Sequence, residues 1–78
     1  MTDGTREQES QSSRYRQIAE QIKQAIQSGS LPPDSRLPSV RTLATQYSVS
    51  MTTALKTLRT LADEHYAVAR PTSGFFVA

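Results

Sequence analysis

Residues 37–64 read LPSVRTLATQYSVSMTTALKTLRTLADE, and the fold turns on this stretch. Pro38-Ser39 is a helix start: the proline cannot carry a helix through from before, and a serine oxygen can accept from the unpaired N–H groups of a first turn. Val40, Leu43 and Ala44 then share one helical face as far as about Tyr47. A second start follows at once. Ser50 is a cap candidate, and Val49 before it can pack back on the new helix as a staple. Ala54, Leu58 and Leu61 recur at i, i+4 and i+7, which predicts a helix from about Met51 to Glu64. Two short helices joined by Tyr47-Ser48-Val49 read as a helix-turn-helix, with the first turn of the second helix protruding. Such a turn often holds glycine; Ser48 takes the position here, and a plain helical hairpin is the alternative.

Upstream, Tyr15, Ile18, Ala19, Ile22, Ala25 and Ile26 form one apolar stripe, which predicts an amphipathic helix. Ser12 or Ser13 can cap its start and Gly29 can end it. Between the helices, the run LPPDSRLPS (31–39) holds three prolines, which exclude a helix interior and a central strand. Leu31 and Leu37 are its expected inward anchors, and Ser35 to Leu37 would make a very short strand given a partner further on. Downstream, Tyr66 to Arg70 and Phe75 to Val77 are short aromatic and β-branched segments around Pro71-Thr72-Ser73-Gly74, a β-hairpin. The expected class is therefore α+β: a winged helix-turn-helix, three helices plus a C-terminal β-hairpin wing. Residues 2–13 carry no Leu, Ile, Val or aromatic side chain and read as part of a flexible polar arm, 1–13, before the domain at 14–78.

A chain of 78 residues supports one small core and excludes a two-domain enzyme. No cysteine is present, which excludes disulfides, thiol nucleophiles and cysteine-rich metal sites. His65 is the single histidine and has neither a second histidine nor a run of carboxylates nearby. Hence no catalytic set, metal site or cofactor is expected, and an enzyme is the least favoured class. No apolar run approaches the roughly 20 residues needed to cross a bilayer, and the N-terminus lacks the apolar core of a secretory signal. No membrane partner and a cytoplasmic location are expected.

The net charge is only +2, but the signs are unevenly placed. Asp3, Glu7 and Glu9 against Arg6 leave −2 on residues 1–13, whereas Arg36, Arg41, Lys56 and Arg59 lie in a stretch, 35–62, that holds no acid. That asymmetry favours an anionic partner over a neutral or acidic one. Ser39, Arg41 and Thr42 fall in the first turn of the second helix, and Ser50, Met51, Thr52 and Thr53 open the third. Unpaired N–H groups and a positive dipole end there suit phosphate oxygens or base edges. Ser39 and Ser50 read first as caps and second as contacts. Arg41 gains nothing from the dipole at that end, so an external anion explains it better. Lys56 and Arg59 suit a phosphate or plain solvation equally. Met51 and Leu55 lie off the buried stripe and read as flank packing or as contacts to thymine methyl groups. Arg70 stands at the near edge of the hairpin, with Ser73 and Gly74 in its turn.

These residues resemble the N-terminal winged-helix domain of the GntR family of bacterial transcription regulators. The resemblance lies in Tyr15-Arg16-Gln17-Ile18-Ala19, in the run from Gly29 to Ala44 with Leu37-Pro38-Ser39, Arg41, Leu43 and Ala44 in register, in Val49-Ser50-Met51-Thr52-Thr53, and in Thr72-Ser73-Gly74-Phe75-Phe76-Val77. It implies binding to double-stranded DNA at a palindromic operator and regulation of transcription, as a repressor or as the DNA-binding part of a longer regulator. It also implies a homodimer, formed on DNA or through a domain absent from this chain. Arg41 matches the family's helix-two arginine, and Thr52 and Thr53 match threonines of its recognition helix. With Arg36, Ser39, Ser50, Met51, Lys56, Arg59, Arg70, Ser73 and Gly74 these make up the expected DNA-binding set. Met51 and Leu55 stand where the family commonly has arginines. Asp34, His65 and Thr72 each stand where it commonly has glycine. A protein-interaction module on the same scaffold, using Met51, Leu55 and Tyr47 as an apolar patch, is the alternative.

Overall fold

Five elements follow one another along the chain: α1 (Asp3–Gln27), α2 (Val40–Tyr47), α3 (Met51–Asp63), β1 (Ala67–Arg70) and β2 (Gly74–Val77). The computed structural model describes the backbone of residues 3–78 and the side chains of residues 14–78. α1 begins at Asp3, so Ser12 and Ser13 fall inside the helix rather than capping its start: the polar residues before Arg14 continue the helix backbone although they bring no apolar stripe, and the side chains of the arm expected at 1–13 lie outside the described residues. The periodicities named above become the buried faces. Ile18, Ala19 and Ile22 of α1, Leu43 and Ala44 of α2, and Ala54, Leu58 and Leu61 of α3 enclose a single core that Leu37, Ala67 and Val77 complete. Leu58 and Leu61 are 0% exposed, so truncating either to alanine would cost about 2–5 kcal/mol in lost transfer energy and residual cavity. Thr57 is equally buried, which the apolar pattern did not indicate. Its hydroxyl satisfies itself by donating to the Thr53 carbonyl one turn back, at 2.9 Å.

Both expected caps are in place. Ser39 and Ser50 have extended backbones, and each side chain accepts from the N–H three residues on, Thr42 and Thr53, at 3.1 Å. α2 ends on Ser48, which is left-handed (φ 55°, ψ 48°) and donates its N–H to the carbonyls at the end of the helix. This left-handed residue turns the chain toward α3, the reason such turns favour glycine. The segment is a helix-turn-helix. α1 ends with Gly29 at φ 89°.

The hairpin is antiparallel, with Val68 opposite Phe76 and Arg70 opposite Gly74. Gly74 therefore belongs to β2 rather than to the turn, and Tyr66 lies just outside β1. At Ser35 to Leu37, where a very short strand is expected, the proline-rich connection forms a single antiparallel bridge to β2 rather than a full strand, because the flanking prolines leave too few residues to extend the pairing. Arg36 bridges to Phe76, with Leu37 donating to Phe75 O and Val77 donating to Ser35 O, both at 2.8 Å. Prolines 32, 33 and 38 flank this pairing without interrupting it. α1 packs along α3, α2 packs against α3, and α3 runs into β1, so the wing is attached to the end of the third helix.

Candidate nucleic-acid interface

The buried stripe of α3 determines what the helix offers to the outside. Ala54, Thr57, Leu58 and Leu61 occupy one side, and at 100° per residue Thr52, Lys56 and Arg59 fall together on the opposite one. All three are exposed. Met51 at the start of the helix is 50% exposed, whereas Leu55 is half-buried on the flank. Thr53 is half-buried and its hydroxyl accepts from Ser50 at 3.0 Å, so both side chains are engaged in the cap. Ser39 and Thr42 repeat this pairing at the start of α2, also at 3.0 Å. Arg41 projects exposed from that same first turn. Among the described residues, no carboxylate forms an ion pair with Arg36, Arg41, Lys56 or Arg59.

The wing brings together residues far apart in sequence. Arg36 reaches Gly74 so closely that a Cβ on that glycine would sit 3.6 Å from its guanidinium, an ordinary contact; the φ of 111° is what makes glycine suited there. Arg70 lies with its guanidinium 4.4 Å from the centroid of the Phe76 ring and 3.7 Å from Asp34 Oδ1. Ser73 is exposed at the turn and donates its N–H to Arg70 O at 3.1 Å. Directly paired residues of a sheet share a face, so Arg36, Val68 and Phe76 stand on one side, joined by Arg70 two residues along from Val68. Two groups of expected site residues result, one on α3 and one on the wing. Among the described residues no hydrogen bond or ion pair links Arg41 to either group.

Three participants were not read from the sequence. Arg14 of α1 donates to Tyr47 O at 2.7 Å and lines a cavity of about 230 Å³ with Ser48, Val49, Ser50 and Thr53, which adds a positive charge beside the start of α3. Tyr15 lies beneath Lys56, whose ammonium is 4.5 Å from the ring centroid. A hydrogen bond from Arg16, helped by the charges of Arg16 and Lys56, draws the Tyr15 phenol below its ordinary value against the opposing effect of desolvation. Phe76 is the third, as the surface on which Arg70 rests. The sequence carries no common signal for them: Tyr15 reads as part of the apolar stripe of α1, Arg14 as the residue before it and Phe76 as a strand residue, and each gains its role from what the neighbouring element brings opposite. The apolar patch of the alternative reading does not form: Tyr47 packs partly against the core and Leu55 is half-covered, leaving Met51 as the exposed member.

Three helices, a capped helix-turn-helix and a hairpin at the end of its second helix define a winged helix-turn-helix domain. The chain belongs to the gntR family of bacterial regulatory proteins, whose family model matches residues 14–77. It is 38% identical over 65 residues to the uncharacterized HTH-type transcriptional regulator YdcR of Escherichia coli, covering 83% of this chain and 14% of that protein. It is 39% identical over 64 residues to the HTH-type transcriptional repressor NagR of Bacillus subtilis, covering 82% of this chain and 26% of that one. The fold superimposes with a TM-score of 0.78 on AraR(DBD) in a crystal structure with operator ORE1, at 31% identity over 82% of this chain and 78% of that one. The chain thus spans 14% and 26% of the length of these two curated relatives. No helix among the described residues is long and apolar enough to cross a membrane.

Proposed function

We propose that residues 14–78 bind double-stranded DNA in a sequence-specific way and regulate transcription, as a repressor or as the DNA-binding part of a longer regulator, with residues 1–13 as a polar segment before that domain, extending α1 from Asp3 on. The observation that carries this reading is the exposed stripe Thr52, Lys56 and Arg59, which lies opposite the buried face of α3 and follows a capped first turn. A helix presented in this way fits the major groove, and a wing bearing Arg36 and Arg70 fits phosphates beside it. Thr52 and Met51 are assigned to base edges, and Arg41, Lys56, Arg59 and Arg70 to phosphates. Ser39, Ser50 and Thr53 act first by capping their helices, which leaves backbone N–H groups aimed at the nucleic acid. Ser73 in the turn carries the tip of the wing, and Gly74 opens β2 beside it. AraR(DBD), with the same fold, was crystallised with an operator, which supports the same class of partner here.

Two copies bound to the halves of a palindromic operator, in the cytoplasm, complete the proposal. It requires no cofactor and no catalytic step. Phosphate contacts position a protein and base contacts specify its site. Titration of selected and scrambled duplexes over a range of salt concentrations is therefore the test. Arg41→Ala is expected to weaken binding to both duplexes alike and to lower the salt slope by about one. Thr52→Ala is expected to change the ratio between the two duplexes. Equal binding of the wild-type chain to every duplex tried would remove the sequence-specific part of the proposal.

A further inference from the structure

Asp34 is held in a position that its residue type does not favour. Its φ is 70°, in the left-handed region where a side chain crowds the backbone, and its N–H donates to Val77 O at 2.9 Å. This bond to β2, next to the Arg36 bridge, pins the backbone, and the carboxylate hangs over the edge of the wing, 84% exposed, with Oδ1 3.7 Å from Arg70 Nη2. Arg70 is half-exposed and rests on Phe76, with its guanidinium carbon 4.4 Å from the ring centroid. The one guanidinium thus has an aromatic support, which leaves its charge available, and an acid, which offsets it.

We propose that Asp34 is an internal counter-ion of the wing. It competes with a DNA phosphate for Arg70 and thereby sets how strongly the wing engages DNA, while Phe76 keeps the guanidinium in place when the acid is displaced. This rests on the DNA-binding reading above. The pair is loose and exposed, so a phosphate can displace the carboxylate at little expense. Once its pairing with Arg70 is broken, the same carboxylate also repels the polyanion. Both effects are Coulombic and fade with salt. Asp34 therefore acts as a specificity-determining residue: it weakens sites that the wing alone would hold and leaves a larger share of the discrimination to α3.

The experiment is a double-mutant cycle on DNA binding in the full chain, with Asp34→Asn, Arg70→Ala and the double variant. Asparagine keeps the shape of the side chain and tolerates left-handed backbone, so the fold is retained, which a thermal melt of each variant verifies. The Asn variant is expected to bind about three- to ten-fold more tightly at low salt, with the gain shrinking as salt rises and the ratio of selected to scrambled duplex falling. In the Arg70→Ala background the gain is expected to fall to about two-fold or less. An equal gain in both backgrounds would overturn the proposal, because Asp34 would then act as a general negative charge rather than on Arg70. No gain at low salt, with DNA binding itself intact, would overturn it as well. If the wild-type chain failed to bind any duplex, the parent reading would be the one refuted, and the Asp34–Arg70 contact would still be readable from the pair's coupling in the melts.

Discussion

Lys23 of α1 forms an ion pair with Glu64, the residue that caps the end of α3, and its ammonium also stands 5.3 Å from the centroid of the Tyr66 ring. Glu20 adds a second carboxylate at 3.4 Å. Hydrogen bonding to Glu64, with smaller help from its charge and from Glu20, raises the lysine above its ordinary value of 10.5 despite desolvation. The contact joins the first helix to the root of the wing, a link that Gln27 reinforces by donating to Tyr66 Oη at 3.1 Å.

The folded chain holds the Lys23 proton more tightly than the unfolded chain does. The stabilisation is therefore complete below the ordinary lysine value and is lost as pH rises through the raised one. Melting temperatures of the wild type and of Lys23→Met are expected to differ near neutral pH and to converge in strongly alkaline buffer. A constant difference from about pH 7 to about pH 11 would show that the lysine acts by packing alone.

His65 and Thr72 have φ of 67° and 63°. Glycine adopts this conformation without the Cβ clash, and a β-branched residue is the least suited to it. His65→Gly and Thr72→Gly are each expected to stabilise the domain by about 0.5–1 kcal/mol, after allowing for the extra freedom glycine gives the unfolded chain. A small domain should then melt about 2–8 °C higher per variant. A lower melting temperature for Thr72→Gly would mean that its side chain stabilises the turn by more than the strain costs.

Met51 is 50% exposed on the first turn of α3, where the family resemblance places an arginine. Met51→Arg is expected to tighten binding to all duplexes, to steepen the salt slope by about one, and to shift preference toward sites containing guanine. Binding-site selection with both proteins reads all three effects. An unchanged affinity and an unchanged preference would place residue 51 outside the groove.

Without DNA the chain is expected to be monomeric. Among the described residues the large apolar side chains left exposed are Met51 and Val68, and a self-sustaining interface usually buries about 1,200 Å² or more. On a palindromic duplex with half-sites about 34 Å apart, two copies should assemble. Sedimentation at micromolar concentration, with and without the duplex, distinguishes these outcomes. A stable dimer in the absence of DNA would overturn the expectation and direct attention to Tyr47, Tyr66 and Phe75.

Most of the fold was legible in the sequence because its signals are local. Ser39 and Ser50 announce their helices by what they do within three residues, and Ile18, Ile22, Leu58 and Leu61 announce buried faces by helical spacing alone. The extended pairing at Ser35 to Leu37 was legible only conditionally and is a single bridge, since pairing needs a partner and β2 lies about forty residues further on. Thr57 escaped the apolar pattern because a threonine can be buried once its hydroxyl bonds back along its own helix. Tertiary structure alone decided which charges meet. Nothing in the order of residues puts Asp34 and Phe76 on Arg70, Tyr15 under Lys56, or Glu64 on Lys23. Those pairs form because hydrophobic burial brings α1 onto α3 and folds the proline-rich connection onto β2, and electrostatics then acts over a few ångströms between groups that burial has already brought together.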